Sequence, residues 1–234
     1  MDLAYMTGAI GDVGVSFGKM PLLLGQGLLA DTDKYWNGAK VTFGNKIKMQ
    51  IGYARQADKK NYFFTDATTN VTKELAVTAA YLKDADNKSA SDPLDAQYKS
   101  WAVGFGFKGI ENLALTGEYG KNDVSNAKAW ITGATFRQAD YKKVGSWNAT
   151  AIYRKAAPGF DPQYWSTPDA TYAMFNEDSS VYFALDDIRG FEYGFDYIPV
   201  KNAKLHLAYG DMKNYAGTSK NDRSYFVSSL LFKF

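Results

Sequence analysis

A two-residue period in side-chain character constrains this chain more than anything else in it. In Tyr98–Lys108 the residues Trp101, Val103, Phe105 and Phe107 alternate with Ser100, Ala102, Gly104 and Gly106. Successive side chains of a strand point to opposite faces, so the segment is a strand with one large apolar face and one small one. After the turn Gly109–Glu111, Asn112–Lys121 repeats the pattern, with Leu113, Leu115 and Tyr119 against Ala114, Thr116, Glu118 and Gly120. The same alternation runs through Trp36–Gly44, Ile47–Arg55, Glu74–Lys83, Ser146–Arg154, Arg189–Tyr197 and Ala203–Asp211. It is weak in Tyr62–Thr68, and the faces of Ala127–Gln138 are ambiguous. With Asp2–Ile10, Val13–Lys19 and the closing Ser224–Phe234, about 12–14 strands are legible, and few segments carry a helical period.

The two faces decide the environment. One is aliphatic in mid-strand and aromatic at the ends, where Tyr53, Tyr81, Tyr119, Tyr153, Tyr197 and Tyr209 recur; the other is small, glycine-rich and charged. A soluble sandwich buries its apolar face between sheets and turns polar residues outward. Here the apolar faces suit lipid and the tyrosines suit the two lipid–water boundaries. Mean hydropathy is only −0.35 and no run approaches the roughly 18 apolar residues of a membrane-spanning helix, so a membrane chain of this kind must be a closed barrel. The absence of cysteine excludes disulfides, thiolate metal sites and a cysteine nucleophile, and a net charge of +2 gives no nucleic-acid footprint. The expected fold is all-β: a single domain, residues 1–234, forming a transmembrane antiparallel up-and-down β-barrel.

Connections alternate between short (Gly11-Asp12, Asn45-Lys46, Gly109–Glu111, Pro199–Asn202) and long (Met20–Tyr35, Asp84–Ala96, Ala156–Asp187), as periplasmic turns alternate with outer loops. An odd strand count, and a start that already reads as a strand with no export signal, lead us to expect a portion of a longer barrel that lacks N-terminal strands and any periplasmic tether. The last strand places Phe226, Leu230, Phe232 and Phe234 on one face and ends on phenylalanine. It resembles the C-terminal signature strand of bacterial outer-membrane barrels, and that resemblance marks Phe232 and Phe234 as the signal read by the barrel-assembly machinery.

The run GKMPLLLGQGLLADTDKYWNGAKVTFGNKIKMQIGYA (Gly18–Ala54), with the terminal FKF, resembles the barrel of OmpM-like porins, the S-layer-homology porins of diderm relatives of the Gram-positive bacteria. The resemblance implies a homotrimer of barrels of about 16 strands. The family's N-terminal peptidoglycan-binding domain and coiled-coil stalk have no counterpart in this sequence.

The candidate site residues follow from the faces. Lys40, Lys48, Glu118, Arg154, Glu192, Asp196 and Lys204 fall on the small, polar face and are expected to line a pore. The apolar, glycine-bearing loop Met20–Tyr35 precedes a downward strand, so it begins on the outer side. Folded inward it would form a constriction carrying Leu22, Gln26, Leu28, Asp31 and Asp33; packed on the rim it would form a subunit contact. His206 is the only histidine, and with no acid at readable spacing it is expected to be a solvated lumen residue rather than part of a Ser/His/Asp site. Asp186-Asp187 does not make a calcium motif, and Gly104–Gly109 imitates a phosphate loop but lies mid-strand. No catalytic residue, metal or cofactor is expected. The expected function is a water-filled outer-membrane channel for small hydrophilic solutes and ions, embedded in lipid and lipopolysaccharide; the alternative is a structural barrel that anchors the envelope or presents loops.

Overall fold

The computed structural model describes residues 4–55, 60–85, 98–161, 187–217 and 223–233. Within them 13 strands form one antiparallel sheet in strictly sequential order. They are β1 (Ala4–Ile10), β2 (Val13–Leu24), β3 (Ala30–Phe43), β4 (Ile47–Arg55), β5 (Asn61–Asn70), β6 (Leu75–Asp84) and β7 (Lys99–Ile110). β8 (Leu113–Asn122), β9 (Lys128–Arg137), β10 (Trp147–Ala156), β11 (Ile188–Tyr197), β12 (Ala203–Lys213) and β13 (Arg223–Phe232) follow. The weakly patterned Tyr62–Thr68 is thus part of a full strand. Among the described residues β1 pairs only with β2 and β13 only with β12, and the odd count makes these two run in the same direction.

Register fixes which residues share a face, because directly opposed residues lie on the same side of a sheet. Glu118 stands opposite Gly104 on one side and Ile131 on the other, and Gly104 stands opposite Thr78. That row is concave. It settles the ambiguous strand: Ala129, Ile131, Gly133 and Thr135 of β9 turn inward, while Trp130, Ala134 and Phe136 turn outward. The convex face carries an exposed aliphatic band, with Val103 and Leu230 about half exposed, between two rows of aromatic rings. Toward the long connections the rows contain Trp101 against Tyr119, Trp130 against Tyr153 and Tyr153 against Phe191, at centroid distances of 5.8, 5.1 and 4.8 Å. Toward the short turns Trp147 packs on Phe136 and Phe195. Ten-residue strands rise about 33 Å, and a barrel tilt of about 40° reduces this to about 25 Å, the height of a lipid-facing band.

Inside, the half toward the long connections is dry. Leu24, Leu28, Trp36, Tyr62, Phe64, Leu82 and Phe160 are fully buried in one cluster. Tyr62 meets Trp36 edge-on at 5.5 Å and Tyr98 at 6.2 Å. The segment after β10 folds over this cluster: Phe160 enters it, Asp161 accepts a hydrogen bond from the Tyr98 hydroxyl, and Asn122 donates to the Gly159 carbonyl. This is the opposite of a solvated sheet interior, and it explains why β5 read poorly. Tyr62 and Phe64 are large residues on the concave face because there they meet other rings instead of water.

Candidate pore interior

The expected irregular loop Met20–Tyr35 is mostly strand. β2 continues to Leu24, β3 begins at Ala30, and only residues 25–29 form the turn. The physical cause of the break that made it look loop-like is Pro21. It has no N–H to give to the ladder, and the register between the two strands shifts between Met20 and Leu22. Beyond that point the hairpin runs into the interior. Its tip docks on distant strands: Gly25 N–H donates to Asp66 Oδ2 at 3.1 Å, Gln26 N–H to Glu118 Oε1 at 3.0 Å, and Leu28 N–H to Glu118 Oε2 at 2.8 Å. The Gln50 amide donates to the Leu23 carbonyl at 2.7 Å. Gly25, at φ +61°, is required twice over, by its left-handed backbone and because a Cβ there would collide with the Glu118 carboxylate.

The docked hairpin has two faces. Leu22, Leu24, Leu28 and Ala30 are buried against the β3–β7 wall, while Leu23 is half exposed. Gln26, Gly27 and Asp31 look across a cavity of about 320 Å³ at Asn148, Thr150 and Arg154 of β10, Glu192 and Asp196 of β11, and His206 of β12. That far wall is cross-linked. Arg154 Nη2 lies 3.4 Å from Glu192 Oε1, and the Tyr225 hydroxyl donates to Glu192 Oε2 at 2.6 Å. Asp196 gathers His206 Nδ1 at 2.7 Å, Asn148 Nδ2 at 3.0 Å and Lys204 Nζ at 3.4 Å.

The structure thus places all seven expected lining residues on the concave face, in unequal settings. Arg154, Glu192, Asp196 and Lys204 form the linked wall. Lys40 is half-buried within electrostatic reach of Asp66, and Lys48 is exposed near a short turn. Glu118 is almost wholly covered by the hairpin tip. Of the five hairpin residues, Gln26 and Asp31 border the cavity, whereas Leu22 and Leu28 face the wall. The Asp33 side chain and Phe234 lie outside the described residues, as does Asp186, while Phe232 is exposed on the convex face.

The expectation for His206 is overturned too. His206 is buried, not solvated, and it has an acid partner: Asp196 stands directly opposite it in the β11–β12 register. Ser229 stands opposite His206 on the other side, but its hydroxyl makes no hydrogen bond, so the rung lacks the nucleophile–base contact of a hydrolase. Sequence reasoning also missed Asp66, Gln50, Asn148 and Tyr225. Asn148 stands opposite Asp196 on the concave face of the alternating segment Ser146–Arg154, and Asp66 lies in the strand whose pattern is weak.

No family model matches the sequence, and no curated protein matches it. The fold is similar to Pseudomonas aeruginosa OccK5 (OpdH), with 12% identity and a TM-score of 0.65 over 97% of this chain and 69% of that one. It is similar to P. aeruginosa OccK10 (OpdN), with 10% identity and a TM-score of 0.62 over 97% and 70%. It is also similar to a mutant of Rh. blastica porin, with 12% identity and a TM-score of 0.60 over 98% and 76%. The chain has a porin fold: an all-β, antiparallel, up-and-down barrel. At these identities the likeness is one of backbone path, and the side chains of the interior must be read on their own.

Proposed function

We propose that this chain is the barrel of an outer-membrane porin, passing small hydrophilic solutes and ions by diffusion through a water-filled interior. The observation that carries this reading is the gap between the hairpin tip and the β10–β12 wall. An inward hairpin narrows the barrel, yet a polar cavity of about 320 Å³ remains, edged by Asp31 on one side and Arg154 on the other. Charges of both signs across a narrow path favour small polar solutes with weak ion preference. Arg154, Glu192, Asp196 and Lys204 line the path, Lys40 and Lys48 border its wider end, and Glu118 holds the constriction in place. Gln26 and Asp31 present the constriction's polar edge, with Leu22 and Leu28 as its anchors and Asp33 at its base.

In this reading the barrel is one domain of a homotrimer, set in lipid and lipopolysaccharide, with Phe232 and Phe234 recognised by the barrel-assembly machinery. The porin fold of the neighbours and the exposed aromatic rows support the membrane setting. The narrower assignment, to OmpM-like porins, rests on the Gly18–Ala54 run.

A second reading, a structural barrel without useful conductance, is favoured by one observation: the apolar cluster around Trp36, Phe64 and Leu82 fills the half nearest the long connections. Planar-bilayer recording separates the two. Stable, stepwise conductance that rises when residues 23–30 are replaced by a two-residue turn supports the pore. A silent bilayer with correctly folded protein defeats it.

A further inference from the structure

The connection between β9 and β10 is longer than its position requires. It runs from residue 138 to 146, nine residues, where the other short-turn connections take two to five. A loop of about two residues suffices to join antiparallel neighbours. The extra chain is ordered by its own polar groups. Asp140 Oδ1 accepts the Lys142 N–H at 2.9 Å, the Asp140 carbonyl accepts the Lys143 N–H at 2.8 Å, and the Ser146 hydroxyl accepts the Asp140 N–H at 2.9 Å. The loop then meets the β11–β12 turn. The Asn202 N–H donates to the Tyr141 carbonyl, the Gly145 N–H to the Ile198 carbonyl and the Lys233 N–H to the Asn202 carbonyl, each at 2.9 Å. Two connections and the end of β13 are thereby tied into one platform.

The platform is cationic, and the rest of that end is not. It presents Lys142, Lys143, Lys201 and Lys233, all exposed, against the single acid Asp140. The short-turn connections between β1 and β8 carry Asp12, Lys46, Lys73, Glu74 and Glu111, so acids outnumber bases there. Among the described residues none of the four lysines has an ion-pair partner, and Lys233 lies 5.9 Å from the centre of the Tyr141 ring. Like charges gathered on an ordered surface repel one another, and an anion relieves that repulsion. Val144 and Val200, each 57% exposed, stand in the same two connections as Lys142, Lys143 and Lys201. A free phosphate or an anionic glycan offers these valines nothing, whereas a polypeptide carries carboxylates and aliphatic groups on one strand.

We infer that this platform is a docking surface for an acidic segment of another protein, one in which carboxylates alternate with aliphatic side chains. The carboxylates meet Lys142, Lys143, Lys201 and Lys233, and the aliphatic groups cover Val144 and Val200. The inference goes beyond the pore and rests only on the membrane reading, which leaves the short turns in water. Because hydrogen bonds hold the platform together before a partner arrives, little freedom is lost on binding.

The test uses the purified full chain in a non-ionic detergent and a fluorescent peptide of alternating glutamate and valine, read by anisotropy. The peptide is expected to bind, and added salt should weaken it steeply. A glutamate–serine peptide should bind about fivefold more weakly, and V144S with V200S should abolish that difference. K142Q, K143Q, K201Q and K233Q should each weaken binding about two- to threefold, and all four together about 40-fold, as exposed charge pairs do. Lys46→Gln and Lys73→Gln, in the other connections, should change nothing. Thermal melting in detergent shows that each variant is folded. A parent that does not bind, equal binding of the two peptides, or a folded quadruple variant that binds normally overturns the inference. So does a sulfated glycan that binds as tightly as the glutamate–valine peptide, or loss of peptide binding when anionic phospholipid is added to the micelles, which would mean that lipid covers the platform. Conductance is recorded separately. Normal channels without peptide binding remove only the docking surface, and peptide binding without channels removes only the pore.

Discussion

Replacing Glu118 offers the sharpest way to disturb the interior while leaving the wall intact. Its carboxylate accepts the Gln26 and Leu28 N–H groups at 3.0 and 2.8 Å, and it is only 4% exposed. Leaving a buried donor without its acceptor costs about 1–3 kcal/mol, so Glu118→Ala, which orphans two N–H groups, removes about 2–6 kcal/mol from tip docking. Glu118→Gln keeps one carbonyl acceptor and turns an amide toward the second N–H, so it should lose about half of that. The base of the hairpin stays in place, because Leu22 and Leu24 are fully buried and each contributes about 1.5–3 kcal/mol of its own. Only the tip beyond Leu24 is therefore expected to open. The chain has no cysteine, so a single Leu28→Cys reports on the tip alone. A loss of 3 kcal/mol raises the open population, and the labelling rate by a water-soluble maleimide, by roughly 150-fold. Channel current should become noisier at the same time, because the narrowest edge of the path is moving. Labelling within twofold of the parent in Glu118→Ala would refute the idea that this carboxylate pins the constriction.

Other expectations follow from the same geometry. Asp196→Asn removes the charge that holds Lys204 and His206, so the reversal potential in a salt gradient should shift toward anions, with a stability loss of about 1–3 kcal/mol; an unchanged reversal potential would place Asp196 off the path. Gly52→Val puts a branched side chain against the Phe64 ring, which sits 6.2 Å from Trp36, and should cost about 1–3 kcal/mol in urea-induced unfolding of the micelle-bound barrel; an unchanged midpoint would mean the interior cluster is loosely packed. Phe232→Ala removes a ring that is 58% exposed at the short-turn end, so it should lower the yield of assembled protein in cells while leaving refolding into micelles intact; normal assembly in cells would count against a role in recognition.

What could be read from the sequence followed the reach of each interaction. Strands such as Lys99–Ile110 and Leu113–Asn122 declared themselves because lipid-facing and interior-facing residues alternate within a few positions. The pairing of Asp196 with His206 was within reach too, since the hairpin joining β11 to β12 fixes which residues oppose one another, but only once the ladder had been counted out. The inward hairpin was harder. PLLLGQGLLA shows no alternation because one of its faces packs on Trp36 and Phe64 while the other borders the cavity, so neither needs to be uniformly polar. Its anchors were out of reach altogether: Leu28 and Glu118 are 90 residues apart, and nothing local to either reports the other.

The central claim is that the face bearing Val103 and Leu230 meets lipid while the face bearing Thr116 and Thr150 meets water. Single cysteines at these four positions, carrying a fluorophore in reconstituted vesicles, can be challenged with a bilayer-soluble and a water-soluble quencher. Val103 and Leu230 should respond to the first alone, and Thr116 and Thr150 to the second alone. The reverse pattern, or protection of Val103 and Leu230 from both quenchers in a chain that stays folded without lipid or detergent, would mean the wall has been read inside out.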